Sequence, residues 1–282
     1  MTAELKPEFI RSIRSEPGPR DRILDLFGSF IRDFGGWIAV ADLLVLLESL
    51  GIGETSGRSA LSRMKRQGEI VQTKRGSARG YALTESSEEW FVDGTARIMS
   101  GPPNESEDRW VLAAFTVPEN ARNVRYRIRT RLQDLGFGQL SGGLMIAPAA
   151  ISEETVRALQ RADLTEYVDL WQSRHIGFLP LEELVASAWD LESIAEAYRS
   201  YLTLAGGVEA DPPAADEEAG FVRYIAHINA WRELPFMDPG IPAQYLPEDW
   251  PAKQARATFA RIEGSLRPGA WRHFVRVAAT GQ

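Results

Sequence analysis

The chain has 282 residues, 44% hydrophobic and 10% aromatic, with a formal net charge of −7. That predicts two or three domains with sizeable cores, and it excludes a disordered chain and a surface basic all over. No run nears the roughly 18 apolar residues of a membrane span, the N-terminus lacks a signal-like apolar region, and zero cysteines exclude disulfides and thiolate chemistry, which fits a cytoplasmic protein.

The first residues, up to about Pro17, are polar and predicted to be partly disordered. Asp21 to Phe34 is predicted as an amphipathic helix, because Ile23, Phe27, Phe30 and Phe34 recur at helical spacing before Gly35-Gly36. Trp37 to Val40 predicts a short strand, Ala41 to Leu50 a second helix and Thr55 to Gln67 a third. Glu69 to Thr73 and Tyr81 to Thr84 predict a hairpin with Lys74 to Gly80 as its loop. Helix, helix, turn, helix, hairpin is the order of a winged helix-turn-helix, assigned to residues 20–100. Glu85 to Ser100 extends this unit with a helix, and Gly101 to Asp108 reads as a linker.

Residues 106–180 read as a second unit. Strands are predicted at Trp110 to Val117, within Leu140 to Ala147 after Gly142-Gly143, and at Tyr167 to Gln172. Helices are predicted at Asn120 to Gly136 and Ser152 to Ala162, with Ser152 as N-cap. This alternation implies a ferredoxin-like α/β sandwich. Residues 181–282 read as a helical domain. It has helices at Leu184 to Leu204, Phe221 to Leu234 and Ala252 to Glu263, an acidic loop from Ala205 to Ala219, and a proline-stiffened turn from Pro235 to Pro251. The fold class is therefore α+β.

Charge is unevenly spread. Thr55 to Tyr81 holds Arg58, Arg63, Lys65, Arg66, Lys74, Arg75 and Arg79 against a single acid, Glu69. On a helical wheel Ala60, Leu61 and Met64 form an apolar side, opposite Thr55, Ser59, Ser62, Arg63 and Arg66, with Arg58 and Lys65 flanking. A helix in a major groove needs arginines for guanine edges, hydroxyls for bases or phosphates, and no carboxylates. The nine candidate DNA contacts are Thr55, Arg58, Ser59, Ser62, Arg63, Arg66, Lys74, Arg75 and Arg79, and the expected partner is double-stranded operator DNA.

A second basic run, Arg122, Arg125, Arg127, Arg129 and Arg131, contains no acid. Arg122, Arg125 and Arg129 share a helix face, which reads either as a solvated, ion-paired surface or as a phosphate site. His175, His227 and His273 lack metal-ligand spacing, so no metal and no cofactor are expected. No phosphate-binding glycine loop or nucleophile elbow is present. The tryptophans of the last third, Trp189, Trp231, Trp250 and Trp271, read mainly as core.

Several separated motifs then resemble one family. Arg58-Ser59-Ala60-Leu61-Ser62-Arg63-Met64 followed by Gly68 resembles the recognition helix of the PaaX family. Asp33-Phe34-Gly35-Gly36 and Leu135-Gly136-Phe137-Gly138 resemble it too, as do Gly142-Gly143-Leu144 and Pro148. So do Trp231-Arg232, Pro235-Phe236-Met237-Asp238-Pro239 and Leu246-Pro247-Glu248-Asp249-Trp250-Pro251. These are bacterial repressors of phenylacetate-degradation genes and their relatives. The resemblance implies a winged helix, a small Cas2-like middle domain, a helical C-terminal domain, and a homodimer released from DNA by an aryl-CoA thioester. Such an effector would use Arg122, Arg125 and Arg129 at its phosphates and Trp231 and Arg232 at its acyl end. Family members commonly carry an Asp after the aromatic residue of the first middle-domain strand, whereas here Thr116 follows Phe115. The alternative reading, a Cas2-like metal-dependent nuclease with a winged-helix targeting domain, loses that carboxylate, so a non-enzymatic repressor is expected.

Overall fold

Pro19 at the first helical position and Asp21, whose carboxylate accepts the Gly18 amide at 3.0 Å, start α1 (Pro19–Leu26). Ile23, Leu24, Leu26, Phe27, Phe30 and Ile31 are all buried. The expected single helix to Phe34 is cut short: a π-helical turn (Phe27–Ile31) follows α1, with the Arg32 amide bonded to the Phe27 carbonyl. The wider turn keeps Phe27, Phe30 and Ile31 on the core side before the chain reverses at Gly35 and Gly36.

The computed structural model describes residues 17–102, 109–118, 121–210 and 216–279. The predicted disordered start and nearly all of the predicted linker at 101–108 lie outside these residues.

Strand β1 (Trp37–Ala39) leads into α2 (Val40–Ser49), which ends in a tight reversal. The Ile52 and Gly51 amides bond back to the Leu47 and Glu48 carbonyls, and Gly51 sits at φ +78, a conformation that favours glycine. Four residues separate α2 from helix α3 (Glu54–Arg66), whose buried side is Gly57, Ala60, Leu61 and Met64. Strands β2 (Ile70–Arg75) and β3 (Ala78–Leu83) form the hairpin, and the small sheet has the order β1-β3-β2. The hairpin loop is only Gly76-Ser77, not Lys74 to Gly80 as expected. Lys74, Arg75 and Arg79 lie on the strands, with Lys74 opposite Arg79. The far end of the hairpin, which β1 does not cover, tolerates such charge, and this hides it from a hydrophobic pattern. Helix α4 (Glu85–Ser100) follows, its first turn capped by Thr84.

The middle segment runs β4 (Trp110–Phe115), α5 (Arg122–Asp134), β5 (Gly138–Ser141), β6 (Leu144–Pro148), α6 (Ser152–Arg161) and β7 (Val168–Ser173). Its antiparallel sheet has the order β5-β6-β4-β7. Gly142-Gly143 is the turn of a β5–β6 hairpin rather than the lead-in to one strand, so Leu140 belongs to β5. Ser152 is not the N-cap. Ile151 holds that place, and the Ser152 hydroxyl donates to the Ala149 carbonyl at 2.6 Å. One sheet face packs under α5 and α6 through Val111, Ala113, Phe115, Met145 and Val168. The other face carries Trp110 and Ile146.

The predicted helix from Leu184 to Leu204 is two helices, α7 (Leu181–Ala188) and α8 (Leu191–Ala210). They separate because Trp189 is extended and the Asp190 carboxylate accepts the Ser193 amide at 3.1 Å, starting a new first turn. The predicted acidic loop is invaded from both sides: α8 runs through Ala210, and α9 (Glu217–Trp231) begins after Asp216, which caps the Glu218 amide. A short α10 (Leu234–Met237) sits in the proline-rich turn. Helix α11 (Ala252–Ala278) continues well past Glu263 and through Pro268, held by the burial of Ala270, Phe274 and Ala278 beyond it.

The first and last thirds of the chain share one core. Phe30 stacks on Phe274 at 5.1 Å between ring centroids and also touches Phe221 and Tyr224. Ile23, Leu46, Leu61 and Met64 belong to the same buried cluster as Tyr198, Trp231 and Phe259. The middle sheet joins separately, through Trp110, Ile146, Val185 and Ile241.

Candidate nucleic-acid interface

Helix α3 buries Ala60, Leu61 and Met64 against the preceding helices, which turns the other side outward. Thr55, Arg58, Ser59, Ser62, Arg63, Lys65 and Arg66 are all exposed. Three of these cations are partly committed: Arg58 pairs with Glu54 at 2.7 Å, the Arg63 guanidinium donates to Ser59 at 3.3 Å, and Lys65 is bonded as well. Lys65 bonds the Gln72 side chain at 3.0 Å and so ties the helix to β2. Arg66, Lys74 and Arg79 have no hydrogen-bonding or ion-pair partner among the described residues. Glu69, the one acid between Thr55 and Tyr81, is held by Arg20 at 2.7 Å. The exposed face from α3 across the hairpin therefore keeps its positive charge, and backbone, hydroxyl and guanidinium donors are what phosphates and base edges accept.

Arg75 has a different position from its expected one. Its guanidinium donates to the Gly35 carbonyl at 3.0 Å and lies 5.1 Å above the Trp37 ring. It fastens the hairpin to the Gly35-Gly36 corner. Gly80 makes that junction possible, since a Cβ there would lie 2.3 Å from the Ile38 carbonyl and the Trp37 ring.

The five residues singled out for an effector fall into two separate places. Arg122, Arg125 and Arg129 line one open depression of about 580 Å³ on α5, together with Pro118, Tyr126, Thr130 and Gln133. Arg125 donates to the Val117 carbonyl at 3.1 Å, and Arg129 to Gln139. Trp231 and Arg232 do not line this depression. Trp231 is buried, its indole donates to the Ile98 carbonyl at 2.9 Å, and Phe259 stacks on it at 4.6 Å. Arg232 is buried against Asp25 at 2.9 Å and Asp21 at 3.5 Å. Both bind the last third of the chain to the first, so an acyl end at this pair is replaced by a role in the core.

Sequence reasoning overlooked Arg97. It is buried on α4, donates to the Pro235 carbonyl at 2.8 Å, lies 5.2 Å over the Phe236 ring, and is 3.6 Å from Glu154 of α6. Asp238 accepts from the Tyr198 hydroxyl at 2.9 Å, and burial pushes its carboxyl upward. The Pro235-to-Pro239 motif is thus a joint where all three segments meet. Tyr126, Thr130 and Gln133 were also passed over, although their helical spacing from Arg122 was a usable signal.

An acid-poor basic helix next to a basic hairpin has the form of a nucleic-acid-facing surface. Three family models match in register with these segments: "PaaX-like protein" at residues 19–87, "PaaX protein central Cas2-like domain" at 103–185, and "PaaX-like protein C-terminal domain" at 189–276. The chain belongs to the PaaX family. A curated relative, "Transcriptional repressor PaaX" of Escherichia coli (strain K12), is 24% identical over 255 residues, covering 88% of this chain and 80% of the relative. Among solved structures, "Uncharacterized protein Rv0674 from Mycobacterium tuberculosis" is similar with a TM-score of 0.61 and 22% identity, over 90% of this chain and 97% of that one, a likeness of fold.

Proposed function

We propose that the chain is a cytoplasmic, DNA-binding transcriptional repressor without enzymatic activity. Residues 20–100 act as a winged helix-turn-helix, 106–180 as a ferredoxin-like unit, and 181–282 as a helical unit. The carrying observation is the exposed side of α3, where Thr55, Ser59, Ser62, Arg63 and Arg66 stand together while Ala60, Leu61 and Met64 anchor the opposite side. Arg63 and Arg66 read base edges, and Lys74 and Arg79 meet the backbone. The repressor name of the relative supports the same direction of control.

One such helix contacts few base pairs, so the chain acts as a homodimer on two half-sites about 34–36 Å apart or a multiple of that. The regulated genes belong to aromatic-acid catabolism of the phenylacetate type, and an aryl-CoA thioester releases the DNA. Its phosphates bind at Arg122, Arg125 and Arg129. Selection of bound fragments from genomic DNA tests the proposal. It expects a pseudo-palindromic site whose capture is lost with Arg63→Ala, and recovery of no preferred sequence would overturn it.

A further inference from the structure

Helix α3 carries one acid, Glu54, and it stands in the first turn. Its Oε1 accepts from Arg58 Nε at 2.7 Å, one turn along the helix, and both side chains are exposed. The pair sits at an open end of α3. Gly53 is the N-cap, without a side-chain cap, and a Cβ there would have nothing within 4 Å. The N-terminal residues of a recognition helix are the ones that reach base edges. An exposed ion pair at this spacing contributes little to stability, so the fold itself has small need of it. Phosphates repel a carboxylate, so an acid beside this basic face weakens DNA binding in general.

The groups the pair leaves free form a pattern. With Nε held by Glu54, the Arg58 Nη1 and Nη2 groups have no partner among the described residues. The second Glu54 oxygen, Oε2, accepts from no group among them either. Two donors side by side are thus presented together with one acceptor. In the major groove a G·C pair offers two acceptors, guanine N7 and O6, and then a donor, the cytosine N4 amino group. An A·T pair offers an acceptor, a donor, an acceptor and a methyl group. Two donors followed by an acceptor complement the first order and not the second.

We propose that Glu54 and Arg58 act as one specificity element that reads a G·C base pair of the operator. Arg58 donates to guanine O6 and N7, while Glu54 orients it and accepts from cytosine N4. The inference rests on the reading of α3 as a recognition helix and names the base pair that its N-terminal end selects. Both members contribute to discrimination. The arginine favours the correct pair, and the carboxylate disfavours every site where no cytosine amino group meets it.

Selection from randomised DNA, followed by titration with the selected operator and with random DNA, tests this. Circular dichroism melting controls for folding. Wild type is expected to select G·C at a position where Arg58→Ala accepts any pair. Exchanging that pair for A·T is expected to weaken wild type about tenfold and Arg58→Ala no further. Glu54→Ala is expected to bind random DNA at least twofold more tightly and the operator more weakly. Glu54→Gln keeps an acceptor for Nε without the charge, so it is expected to retain part of the G·C preference while tightening random binding. Equal weakening of operator and random DNA by Glu54→Ala would assign Glu54 to the helix alone and overturns the proposal. An Arg58→Ala protein with wild-type preferences at every position also overturns it, and leaves α3 in the groove through Arg63. A wild-type protein that selects no sequence overturns the recognition reading and this inference with it.

Discussion

The guanidinium of Arg232, just after α9, lies 2.9 Å from the carboxylate of Asp25 on α1, with both side chains almost fully buried. Asn229 adds a hydrogen bond to the same carboxylate at 3.3 Å. This pair crosses the shared core and fixes how the helical end of the chain holds the segment that carries α3.

Burial pushes the Asp25 carboxyl up to about 6, against the opposing pull of Arg232, Arg22 and the Asn229 bond. An unfolded Asp titrates near 3.8. Between about pH 4 and pH 6 the folded chain therefore keeps a proton that the unfolded chain has lost, and this group's contribution to stability falls as pH rises through that window. Arg232→Ala removes the main counter-charge, so its cost is greatest where Asp25 must be ionised. Urea denaturation is expected to show a loss of about 3–5 kcal/mol near pH 8 and a clearly smaller loss near pH 5. Equal losses at both values would contradict a buried ion pair at this position.

The contacts proposed for α3 and the hairpin separate by salt and by sequence. Arg63→Ala or Arg66→Ala is expected to weaken specific DNA binding by about 1–3 kcal/mol and relax sequence preference. Lys74→Ala or Arg79→Ala is expected to weaken all DNA alike and to lower the salt slope by about one. Arg75→Ala should act mainly through the Gly35 and Trp37 contacts, lowering thermal stability as well as affinity. Titrations with operator and with random DNA at several salt concentrations distinguish the three patterns. Wild-type affinity of Arg63→Ala for its operator would remove α3 from the groove.

Gly80 sets a purely steric test of the same region. Its missing Cβ leaves room for the Ile38 carbonyl and the Trp37 ring, and neither backbone nor a packed indole yields cheaply. Gly80→Ala is expected to cost about 1–3 kcal/mol by overpacking and to reduce DNA affinity with it. Differential scanning calorimetry measures the first effect. An unchanged melting temperature would mean that β1 and β3 do not meet there.

What the sequence made legible follows from periodicity. The buried side of α3 is Ala60, Leu61 and Met64, because helical spacing alone separates it from the arginines. The strand character of Lys74, Arg75 and Arg79 was not legible, since charged residues at the exposed end of a hairpin show no apolar alternation. β5 was missed because four residues, Gly138 to Ser141, carry too little pattern. Trp231 is buried, as its reading as core expects, whereas the acyl-end reading of Trp231 and Arg232 misleads for another reason. They sit beside an exposed-looking proline segment in sequence, and their burial is decided by α1 and α4, which only the fold brings to them.

The carboxylate missing at Thr116 bears on chemistry. Thr116 is exposed just beyond β4, and its neutral hydroxyl brings none of the negative charge with which a carboxylate holds a hard divalent cation. No cleavage of labelled DNA or RNA is expected with Mg²⁺ or Mn²⁺. Chelator-sensitive turnover by the purified protein would show that other groups supply the site.

The effector proposal now rests on α5 alone. Arg122, Arg125 and Arg129 line one depression, and the bonds of Arg125 and Arg129 to Val117 and Gln139 occupy only part of their five-donor guanidinium forks. Each charge-assisted bond to a phosphate contributes about 1.5–3 kcal/mol, so three arginines reach the roughly 5.5 kcal/mol needed to move an equilibrium from 1:99 to 99:1. That energy acts only if the depression differs between the DNA-bound and released forms, since a ligand bound equally by both shifts nothing. Tyr126, exposed at the same depression, offers an aromatic surface for the acyl group in place of the buried Trp231. An aryl-CoA is therefore expected to release the protein from its operator. Replacing Arg122, Arg125 and Arg129 together by Ala is expected to raise the required concentration at least tenfold while leaving operator affinity without ligand unchanged. Tyr126→Ala is expected to reduce the preference for aryl-CoA over free CoA. Anisotropy titrations of the protein–operator complex measure all three. Release by free CoA as effective as by the thioester, or an unaltered response of the triple variant, would take the effector away from α5.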